Sequence, residues 1–285
     1  MSKVIQVERQ RTGRTGEQLR ATFIGRRQYD QLVAGEETTV LKPDGSPLLI
    51  YKPRAIPDEV CSGAFQALLR VATPTDNRGD AAGGRYPAPG GAEGEARGTT
   101  RAEPVLSGVA GYFGRQGGRH PHCRVTAFTA RDVGGWARVV PLVQAADRVF
   151  RAECPDRYDV QLAAARATPP YYVIDGTAFT TLTVNRNFRT AVHRDAEDLP
   201  EGFGVMTVLE AGEYRGGHLV FPDYRVAVDV RDGDVLLADV HEWHGNAPIV
   251  GREGEYERVS CVMYYRAKMR DCRPAAEEYA RRVSR

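Results

Sequence analysis

Histidine and aspartate side chains occur with metal-ligand spacing in two parts of the chain. His193 and Asp195 are separated by one residue and follow a run rich in β-branched residues. Because side chains alternate along a strand, both would point to the same face and could share one metal ion. About 50 residues downstream a second apolar run leads into His241 and His244, and either could supply a third ligand. The sequence therefore predicts a single-metal site on two neighbouring strands.

The ligand types favour iron over zinc. Two imidazoles and one carboxylate form a facial triad that leaves positions on Fe(II) open, whereas zinc sites are usually closed or richer in sulfur. Further along, Arg258, Ser260, Val262, Tyr264 and Arg266 fall on one face of a predicted strand. Arg258 and Ser260 together can hold a carboxylate. In an Fe(II) oxygenase this would be the far carboxylate of 2-oxoglutarate.

The elements that must position these residues differ between the two halves of the chain. Apolar periodicity and capping residues predict helices over residues 17–33, 57–71 and 274–283, and two within 141–166 that start at Pro141 and break at Cys154-Pro155. A turn at Pro43-Asp44-Gly45 predicts a hairpin. After residue 170, short β-branched and aromatic runs predict strands over residues 180–192, 203–210, 217–221, 224–230, 234–240 and 258–266. This half favours a small barrel or a double-sheet jelly roll.

A glycine-rich tract separates the first helices from the rest of the chain. Seven glycines fall between Gly79 and Gly98, with few large apolar residues around them. Such a composition cannot offset its ordering entropy by burial. We predict a flexible loop over about residues 73–103, either a passive linker or a flap that closes on a substrate.

Composition excludes several classes of protein. The 285 residues are 42% hydrophobic, which argues against disorder throughout, and the mean hydropathy of -0.43 leaves no membrane-spanning run. The net charge of +2 creates no global positive field, so a nucleic-acid surface would have to be local. Five scattered cysteines without a CxxC pattern predict reduced thiols, and the N-terminus lacks a signal core. We expect a cytoplasmic protein.

Three motifs together resemble a known family. His193-Arg194-Asp195, Trp243-His244-Gly245-Asn246 and Arg258-Val259-Ser260 resemble the TET/J-binding-protein family of 2-oxoglutarate/Fe(II) dioxygenases, which oxidise the 5-methyl group of pyrimidines in DNA. Residues 185–195 look most like the J-binding-protein version, whereas the HRD and RxSxxxxY patterns look like TET. The resemblance covers about residues 170–270.

The resemblance implies an α+β fold: a double-stranded β-helix (jelly-roll) core with N-terminal and flanking helices. Residues 106–285 would form this dioxygenase core. Residues 1–105, with their glycine-rich loop, would form a helical and hairpin support region. We expect the two parts to pack as one catalytic unit and the protein to be monomeric.

The same resemblance assigns metal ligands. It implies that His193, Asp195 and His244 bind Fe(II). It favours His244 over His241, because 14 residues then separate the last ligand from Arg258, close to the family's interval.

Cosubstrate contacts are implied in the same way. Arg258 with Ser260 would bind 2-oxoglutarate. Arg189, four residues before the first ligand, and Arg124 are further candidates for cosubstrate or base contacts. A surface or strand-capping arginine is the alternative for each of the two.

The base-contacting residues are also inferred by resemblance. Asp198 takes the place of the residue that reads the cytosine edge, and its carboxylate can accept from the N4 amino group. Arg266 replaces the histidine of the family's other base contact, and its guanidinium would serve cytosine or thymine. Tyr264 is a candidate to stack on the base. A methyl group in duplex DNA reaches a buried metal only if its nucleotide flips out of the stack.

These expectations define one main function and its alternatives. The chain would be a 2-oxoglutarate- and Fe(II)-dependent dioxygenase that uses O2 to convert 5-methylcytosine in DNA to 5-hydroxymethylcytosine, with further oxidation open. The alternatives are a thymine hydroxylase of the J-binding-protein type that makes 5-hydroxymethyluracil, a small-molecule 2-oxoglutarate hydroxylase, and a DNA-reading module without catalysis. Basic residues near Arg9 and Arg115 would hold the DNA backbone, and no membrane partner is expected.

Overall fold

The computed structural model describes residues 2–10, 13–83, 104–116 and 120–283. The helices of these ranges are α1 (Asp58–Val71), α2 (Ala127–Arg131), α3 (Val133–Glu153), α4 (Pro155–Ala167) and α5 (Ala275–Val283). The strands are β1 (Lys3–Gln6), β2 (Gln31–Val33), β3 (Thr38–Leu41), β4 (Pro47–Lys52), β5 (Thr73–Thr75), β6 (Val105–Phe113), β7 (Arg124–Val125), β8 (Thr181–Arg186), β9 (Gly204–Gly216), β10 (Leu219–Phe221), β11 (Val226–Val228), β12 (Val235–Ala238), β13 (Gly245–Asn246) and β14 (Ile249–Tyr264).

Two sheets form the framework. Within the described ranges, ten strands make a large sheet in the order β1-β3-β4-β12-β9-β14-β8-β6-β5, with β7 paired to β6. Four strands make a second sheet in the order β13-β10-β11-β2. Pairing in the large sheet is antiparallel apart from β1 with β3. The two sheets with flanking helices confirm the predicted α+β jelly-roll fold.

Alternation along the central strands separates two layers of core. On β9, Val205 and Leu209 pack with residues of α1 and α3, whereas Met206 and Val208 pack with residues of the second sheet. Because successive side chains of a strand point to opposite faces, one strand contributes to both layers. The large sheet is thus covered by helices on one face and by the small sheet on the other.

The helices agree in part with the sequence pattern. Helix α1, helix α5 and the break at Cys154-Pro155 are confirmed. The start predicted at Pro141 is wrong, because α3 begins at Val133, where the Asp132 side chain accepts a hydrogen bond from the Gly135 amide. That cap satisfies one of the free amides of the first turn. None of the described helices is both long and apolar enough to cross a membrane.

The helix predicted over residues 17–33 is wrong. This segment forms turns, a short 3-10 helix at Arg26–Gln28 and strand β2, which pairs in parallel with β11. Leu19 and Ile24 are buried in a cluster with Trp243. Tertiary packing of these apolar side chains therefore overrides the local helical pattern.

The N-terminal part of the chain is joined to both sheets. The predicted hairpin is confirmed as β3 and β4, which continue the large sheet next to β12. The start of the predicted glycine-rich loop is ordered as β5 and a 3-10 helix at Gly79–Ala82. Residues 84–103, the rest of that predicted loop, lie outside the described residues.

Two of the five cysteines form a disulfide. Cys123 and Cys272 are bonded although 149 residues separate them, so the prediction of five reduced thiols is wrong for this pair. Glu278 of α5 holds the same two segments together, because it accepts hydrogen bonds from the amides of Cys123 and Arg273. The absence of a CxxC pattern could not reveal this contact between distant segments.

Candidate metal and substrate site

Three potential metal ligands converge in a cavity between the two sheets. His193 Nε2 lies 3.7 Å from one carboxylate oxygen of Asp195, and His244 Nε2 lies 3.8 Å from the other. One ligand atom from each residue lies within 4.8 Å of the others. Bonds of about 2.1 Å to one ion would place ligand atoms up to about 4.2 Å apart. The group therefore fits one metal ion with small side-chain adjustments.

Hydrogen bonds hold both histidines in the orientation that a metal needs. The amide of His193 donates to the carbonyl of His244 at 2.8 Å, and the amide of His244 donates back at 3.0 Å. The Nδ1 atoms lie 2.8 Å and 2.9 Å from the carbonyls of Ala191 and Glu242. With Nδ1–H donated to a carbonyl, Nε2 keeps its lone pair for the metal. Burial and the nearby His193 lower the pKa of His244 to about 4, which keeps it neutral.

Strand alternation is not what brings His193 and Asp195 together. Strand β8 ends before Asn187, whose φ of 49° lies in the left-handed region and turns the chain. His193 is then held by its two bonds to His244, and the amide of Asp195 donates to the carbonyl of Val240 at 3.0 Å. The predicted strand over residues 180–192 is therefore too long, but the two side chains still meet.

The structure places His244, and not His241, with the other two ligands. The His241 ring instead faces Asp239, with 3.5 Å between Nδ1 and Oδ1. Asp239 also pairs with Lys42 at 2.9 Å. These contacts hold the pKa of Asp239 far below its usual range and raise that of His241. His241 thus belongs to a neighbouring ion-pair network.

A single cavity of about 1180 Å³ contains the three ligands. Its wall includes Ser260, Val262, Tyr264 and Arg266, the face of β14 that the sequence predicts. The opposite side is formed by residues of the second sheet, including Asn246. The cavity mixes apolar and polar walls, as binding sites for organic ligands do.

Arg258 is buried beside this wall. Its side chain is 2% exposed and donates to the carbonyl of Gly217 at 3.3 Å, and its Nε has no hydrogen-bond partner. Gly217 has a φ of 75°, and a Cβ there would lie 3.0 Å from that Nε. A buried guanidinium with an unused donor costs free energy unless an acceptor reaches it. Arg258, with Ser260 nearby on the same strand face, therefore fits an anionic group such as a carboxylate.

Asp198 and Arg266 line the cavity as a pair. Their main chains pair as an isolated antiparallel β-bridge, and both residues line the cavity. The Oδ2 atom of Asp198 and the Nε atom of Arg266 are buried without a hydrogen-bond partner. Burial, and to a smaller degree Asp195, raises the pKa of Asp198. Arg266 pairs with Glu197, and burial lowers its pKa to about 10. This wall offers polar groups to a planar, hydrogen-bonding ligand.

Tyr264 lies on the same wall. Its hydroxyl is 3.2 Å from the Thr183 hydroxyl, and both residues line the cavity. Phe113, also in the wall, lies below the Arg266 guanidinium at 5.0 Å. The cavity therefore presents aromatic rings beside the polar pair.

Like Arg258, two further arginines predicted for the site lie outside the cavity wall. Arg189 donates to the carbonyls of Ile24 and Asn246, and its guanidinium covers Phe23 at 5.2 Å. Arg124 donates to Gln116 at 2.7 Å and lies 4.9 Å from the Phe113 ring. Arg189 thus ties the N-terminal segment to the metal-ligand segment, and Arg124 supports the wall from behind.

Arg78 is a cavity residue that the sequence pattern does not indicate. It lines the cavity, and its Nε is buried without a hydrogen-bond partner. Burial lowers its pKa, while the charges of Tyr264 and Asp195 act in the opposite direction. Its place at the edge of a glycine-rich tract carries no periodic or motif signal, so only the fold reveals it.

Comparisons with known proteins agree with this geometry. Residues 108–267, more than half of the chain, match the Tet_JBP model, described as the oxygenase domain of the 2OGFeDO superfamily. The chain is 40% identical over 182 residues to thymine dioxygenase JBP1 of Trypanosoma brucei brucei, which covers 63% of the chain and 21% of that protein. It is 34% identical over 240 residues to thymine dioxygenase JBP1-B of Trypanosoma cruzi, which covers 83% of the chain and 26% of the relative. The chain thus spans about a quarter or less of these relatives.

A solved structure shares the fold. The structure of NgTET1 in complex with 5mC DNA matches 99% of this chain and 91% of its own length, with a TM-score of 0.60 and 12% identity. Fe(II) and 2-oxoglutarate are the metal and cosubstrate of the superfamily, and the His-Asp-His group could hold the iron. The chain therefore belongs to the Tet_JBP family of 2-oxoglutarate/Fe(II) oxygenase domains.

Proposed function

We propose that this chain oxidises the 5-methyl group of a pyrimidine in DNA, with thymine as the base. The observation that carries the proposal is the joining of the three metal ligands and the Asp198–Arg266 wall in one cavity. Its volume of about 1180 Å³ exceeds the ~300–1,000 Å³ of ordinary small-molecule pockets. This volume supports simultaneous binding of 2-oxoglutarate and a flipped nucleotide.

The residues take separate roles in this proposal. His193, Asp195 and His244 hold Fe(II), and Arg258 with Ser260 binds the far carboxylate of 2-oxoglutarate. Arg78, close enough to Asp195 for their charges to interact, offers its unused donor to an anion near the metal. Neither imidazole needs a further acceptor to orient it, because a main-chain carbonyl already accepts the hydrogen bond from each Nδ1–H.

The reaction is a coupled oxidation. With O2, Fe(II) and 2-oxoglutarate supply an oxidant strong enough to remove hydrogen from a methyl group, and the products are succinate, CO2 and the hydroxymethyl base. One oxygen atom of O2 enters succinate and the other enters the base. The protein's residues orient the base, hold the cosubstrate and exclude water. The nucleotide must leave the duplex to reach the cavity.

Asp198 supports thymine as the target base. Its burial favours the protonated carboxyl, which donates a hydrogen bond. Thymine presents an acceptor, O4, at the position where cytosine presents the N4 amino donor. The curated relatives with 33–40% identity are thymine dioxygenases or contain that activity by name. An ionised Asp198 would instead accept from N4, which keeps 5-methylcytosine as the second candidate.

Two matched DNA duplexes separate these bases. One contains thymine and unmodified cytosine, and the other contains 5-methylcytosine with uracil in place of thymine. Each is incubated with the protein, Fe(II), 2-oxoglutarate and ascorbate, digested and measured by mass spectrometry. The proposal predicts 5-hydroxymethyluracil from the first duplex and a much smaller yield of 5-hydroxymethylcytosine from the second. Product from the second duplex alone would show that the target base is 5-methylcytosine and not thymine. Succinate formation at the same rate with and without DNA would indicate a small-molecule substrate.

A further inference from the structure

Acidic side chains at the cavity are already paired with basic ones. Asp80 lies 2.6 Å from Arg20, and Asp132 lies 2.7 Å from Arg70. Both carboxylates belong to residues that line the cavity. These ion pairs cancel negative charge that would repel an anionic partner at the opening.

The other acidic residues of the cavity wall also add little negative charge at the opening. Glu197 pairs with Arg266 and lies 3.7 Å from Lys268. Asp195 belongs to the metal-ligand group. Asp198 is buried, and its raised pKa favours the neutral form. Among the described residues, every other carboxylate that lines the cavity therefore faces a cation or belongs to the metal-ligand group.

Three cavity arginines, Arg78, Arg131 and Arg194, have no carboxylate partner among the described residues, and two of them are exposed. Arg131, at the end of α2, and Arg194, between two metal ligands, both line the cavity and are exposed. Within the described ranges, neither has a carboxylate within ion-pair distance. They leave two uncompensated positive charges where the cavity meets solvent.

Arg194 is held in place although it is exposed. Its guanidinium lies 4.4 Å from the centre of the Trp243 ring, and Trp243 is only 8% exposed. Trp243 in turn packs on Gly16, where a Cβ would lie 2.3 Å from the tryptophan side chain. Stacking on an aromatic face leaves the N–H edge of a guanidinium free to donate. Arg194 is thus an oriented donor whose ordering entropy is already lost before a partner binds.

We infer that Arg131 and Arg194 bind phosphates of the DNA strand whose base enters the cavity. The inference rests on the proposed function. Guanidinium groups match phosphate oxygens in geometry and charge, and phosphate contacts fix the position of a strand without reading its sequence. Cations at the opening would hold the backbone on either side of the nucleotide that leaves the stack.

Two of the basic residues expected from the sequence to hold the DNA backbone form ion pairs inside the protein. Arg9 bonds to Asp223 and Glu242, and Arg115 bonds to Glu278, so these charges are used inside the protein. Arg11 and Arg119 lie outside the described residues.

The salt dependence of DNA binding tests the inference. The dissociation constant of a thymine-containing duplex is measured at several salt concentrations for the wild type, Arg131→Ala, Arg194→Ala and the double variant. Each lost phosphate contact should reduce the slope of log K against log salt by about 0.9. Arg252→Ala is the matched control, because Arg252 is 82% exposed and does not line the cavity. It should leave the slope unchanged.

Two further measurements separate phosphate binding from damage to the site. The affinity for Co(II) shows whether Arg194→Ala leaves its two neighbouring ligands intact, and Arg194→Lys should restore much of the slope because it keeps the charge. Unchanged slopes in both alanine variants, with DNA oxidised by the wild type, would overturn the inference and leave the proposed function standing. A wild type that neither binds nor oxidises DNA would overturn both.

Discussion

At the scale of single residues, the two ligand histidines are oriented before any metal binds. Each donates Nδ1–H to a carbonyl two residues earlier in the chain, Ala191 for His193 and Glu242 for His244. The same local geometry at both positions leaves both Nε2 atoms free and directed toward Asp195. The metal therefore binds to a prepared site, which lowers the entropic cost of forming it.

A matched pair of histidine variants tests the ligand set. We expect His244→Ala to weaken Co(II) or Fe(II) binding by at least about 100-fold, since outer hydrogen-bond partners alone are worth 10–100-fold. His241→Ala should weaken it much less, because His241 faces Asp239 and not the other ligands. Isothermal titration calorimetry measures both. An equal loss of metal affinity in the two variants would contradict the assignment of His244 as the third metal ligand.

The buried guanidinium of Arg258 gives a second prediction at this scale. Arg258→Ala should raise the KM for 2-oxoglutarate by about tenfold or more, because a hydrogen bond to a charged group is worth roughly 1.5–3 kcal/mol. Gly217→Ala should also raise it, since its φ of 75° and a Cβ at 3.0 Å from Arg258 Nε disturb the same place. Steady-state kinetics of succinate formation measure both effects. If the KM were unchanged in Arg258→Ala, the far carboxylate of 2-oxoglutarate would have to bind to another residue, for example Arg78.

Some of this site could be predicted from the sequence because its signals are local. The alternation of Ser260, Val262, Tyr264 and Arg266 depends only on neighbouring residues of one strand. The HxD spacing can also be recognised locally, although contacts with His244 and Val240 bring the two side chains together. The bonds of Arg189 to two main-chain carbonyls could not be predicted, because residue type does not say which acceptor an arginine meets in the fold. Arg78 and the unpaired arginines of the opening depend on which acids become paired, and that follows from tertiary structure alone.

At the scale of elements, the N-terminal segment supports the loop that carries His244. Arg9 donates to Asp223, to the Tyr224 hydroxyl and to Glu242, and that hydroxyl also donates to Glu242. The carbonyl of Glu242 accepts the Nδ1 hydrogen bond of His244. A segment remote in sequence therefore fixes the position of a metal ligand.

The same N-terminal segment contacts the residue before the other histidine, His193. The amide of Ala21 donates to the carbonyl of Val192 at 2.7 Å, and the amide of Val192 donates to the carbonyl of Thr22 at 3.0 Å. Both ligand segments are thus tied to residues before position 33. The N-terminal segment therefore contributes to the position of both histidines.

The hydrogen bonds of Arg9 to Asp223, Tyr224 and Glu242 form what we call the Arg9 clamp. Its removal should weaken metal binding without unfolding the protein. We expect Arg9→Ala to lower metal affinity by about tenfold, at the low end of the effect of outer hydrogen-bond partners. Lys3→Ala is the control, because it removes a charge from the same segment at an exposed pair with Glu36 that contributes little. Metal titration followed by circular dichroism checks affinity and fold together. An unchanged affinity in Arg9→Ala would show that the clamp does not act on His244.

The strands of the second half could be predicted far better than the N-terminal elements. In β9 and β12 the buried residues alternate between the two core layers, so a period of two can be recognised in the sequence. The segment over residues 17–33 has a helical pattern of apolar residues, yet its partners are Trp243 and strand β11. Those partners lie about 200 residues away, where no local pattern can indicate them.

At the scale of the whole molecule, one covalent link joins the C-terminal segment to the central part of the chain. The Cys123–Cys272 disulfide closes a loop of 149 residues. Cys61, Cys154 and Cys261 are free and buried. A link across so long a loop restricts the unfolded chain strongly.

Reduction of this disulfide should lower stability by about 2–4 kcal/mol. Thiol titration of the unfolded, unreduced protein should find three reactive groups, the number of free cysteines. Reductant should lower the Tm of the wild type and leave that of the Cys123→Ser/Cys272→Ser variant unchanged. If five thiols reacted before reduction and reductant left the Tm of the wild type unchanged, the Cys123–Cys272 disulfide would be contradicted.

The molecule as a whole places the metal-ligand group and the Asp198–Arg266 wall in one cavity, with the buried Arg258 beside it. Their common function is most directly tested by counting succinate and oxidised base in the same reaction on thymine-containing DNA. The account predicts equal amounts of the two products, little succinate without DNA, and neither product from His244→Ala. Succinate formed at the same rate without DNA, or oxidised base still formed by His244→Ala, would contradict it.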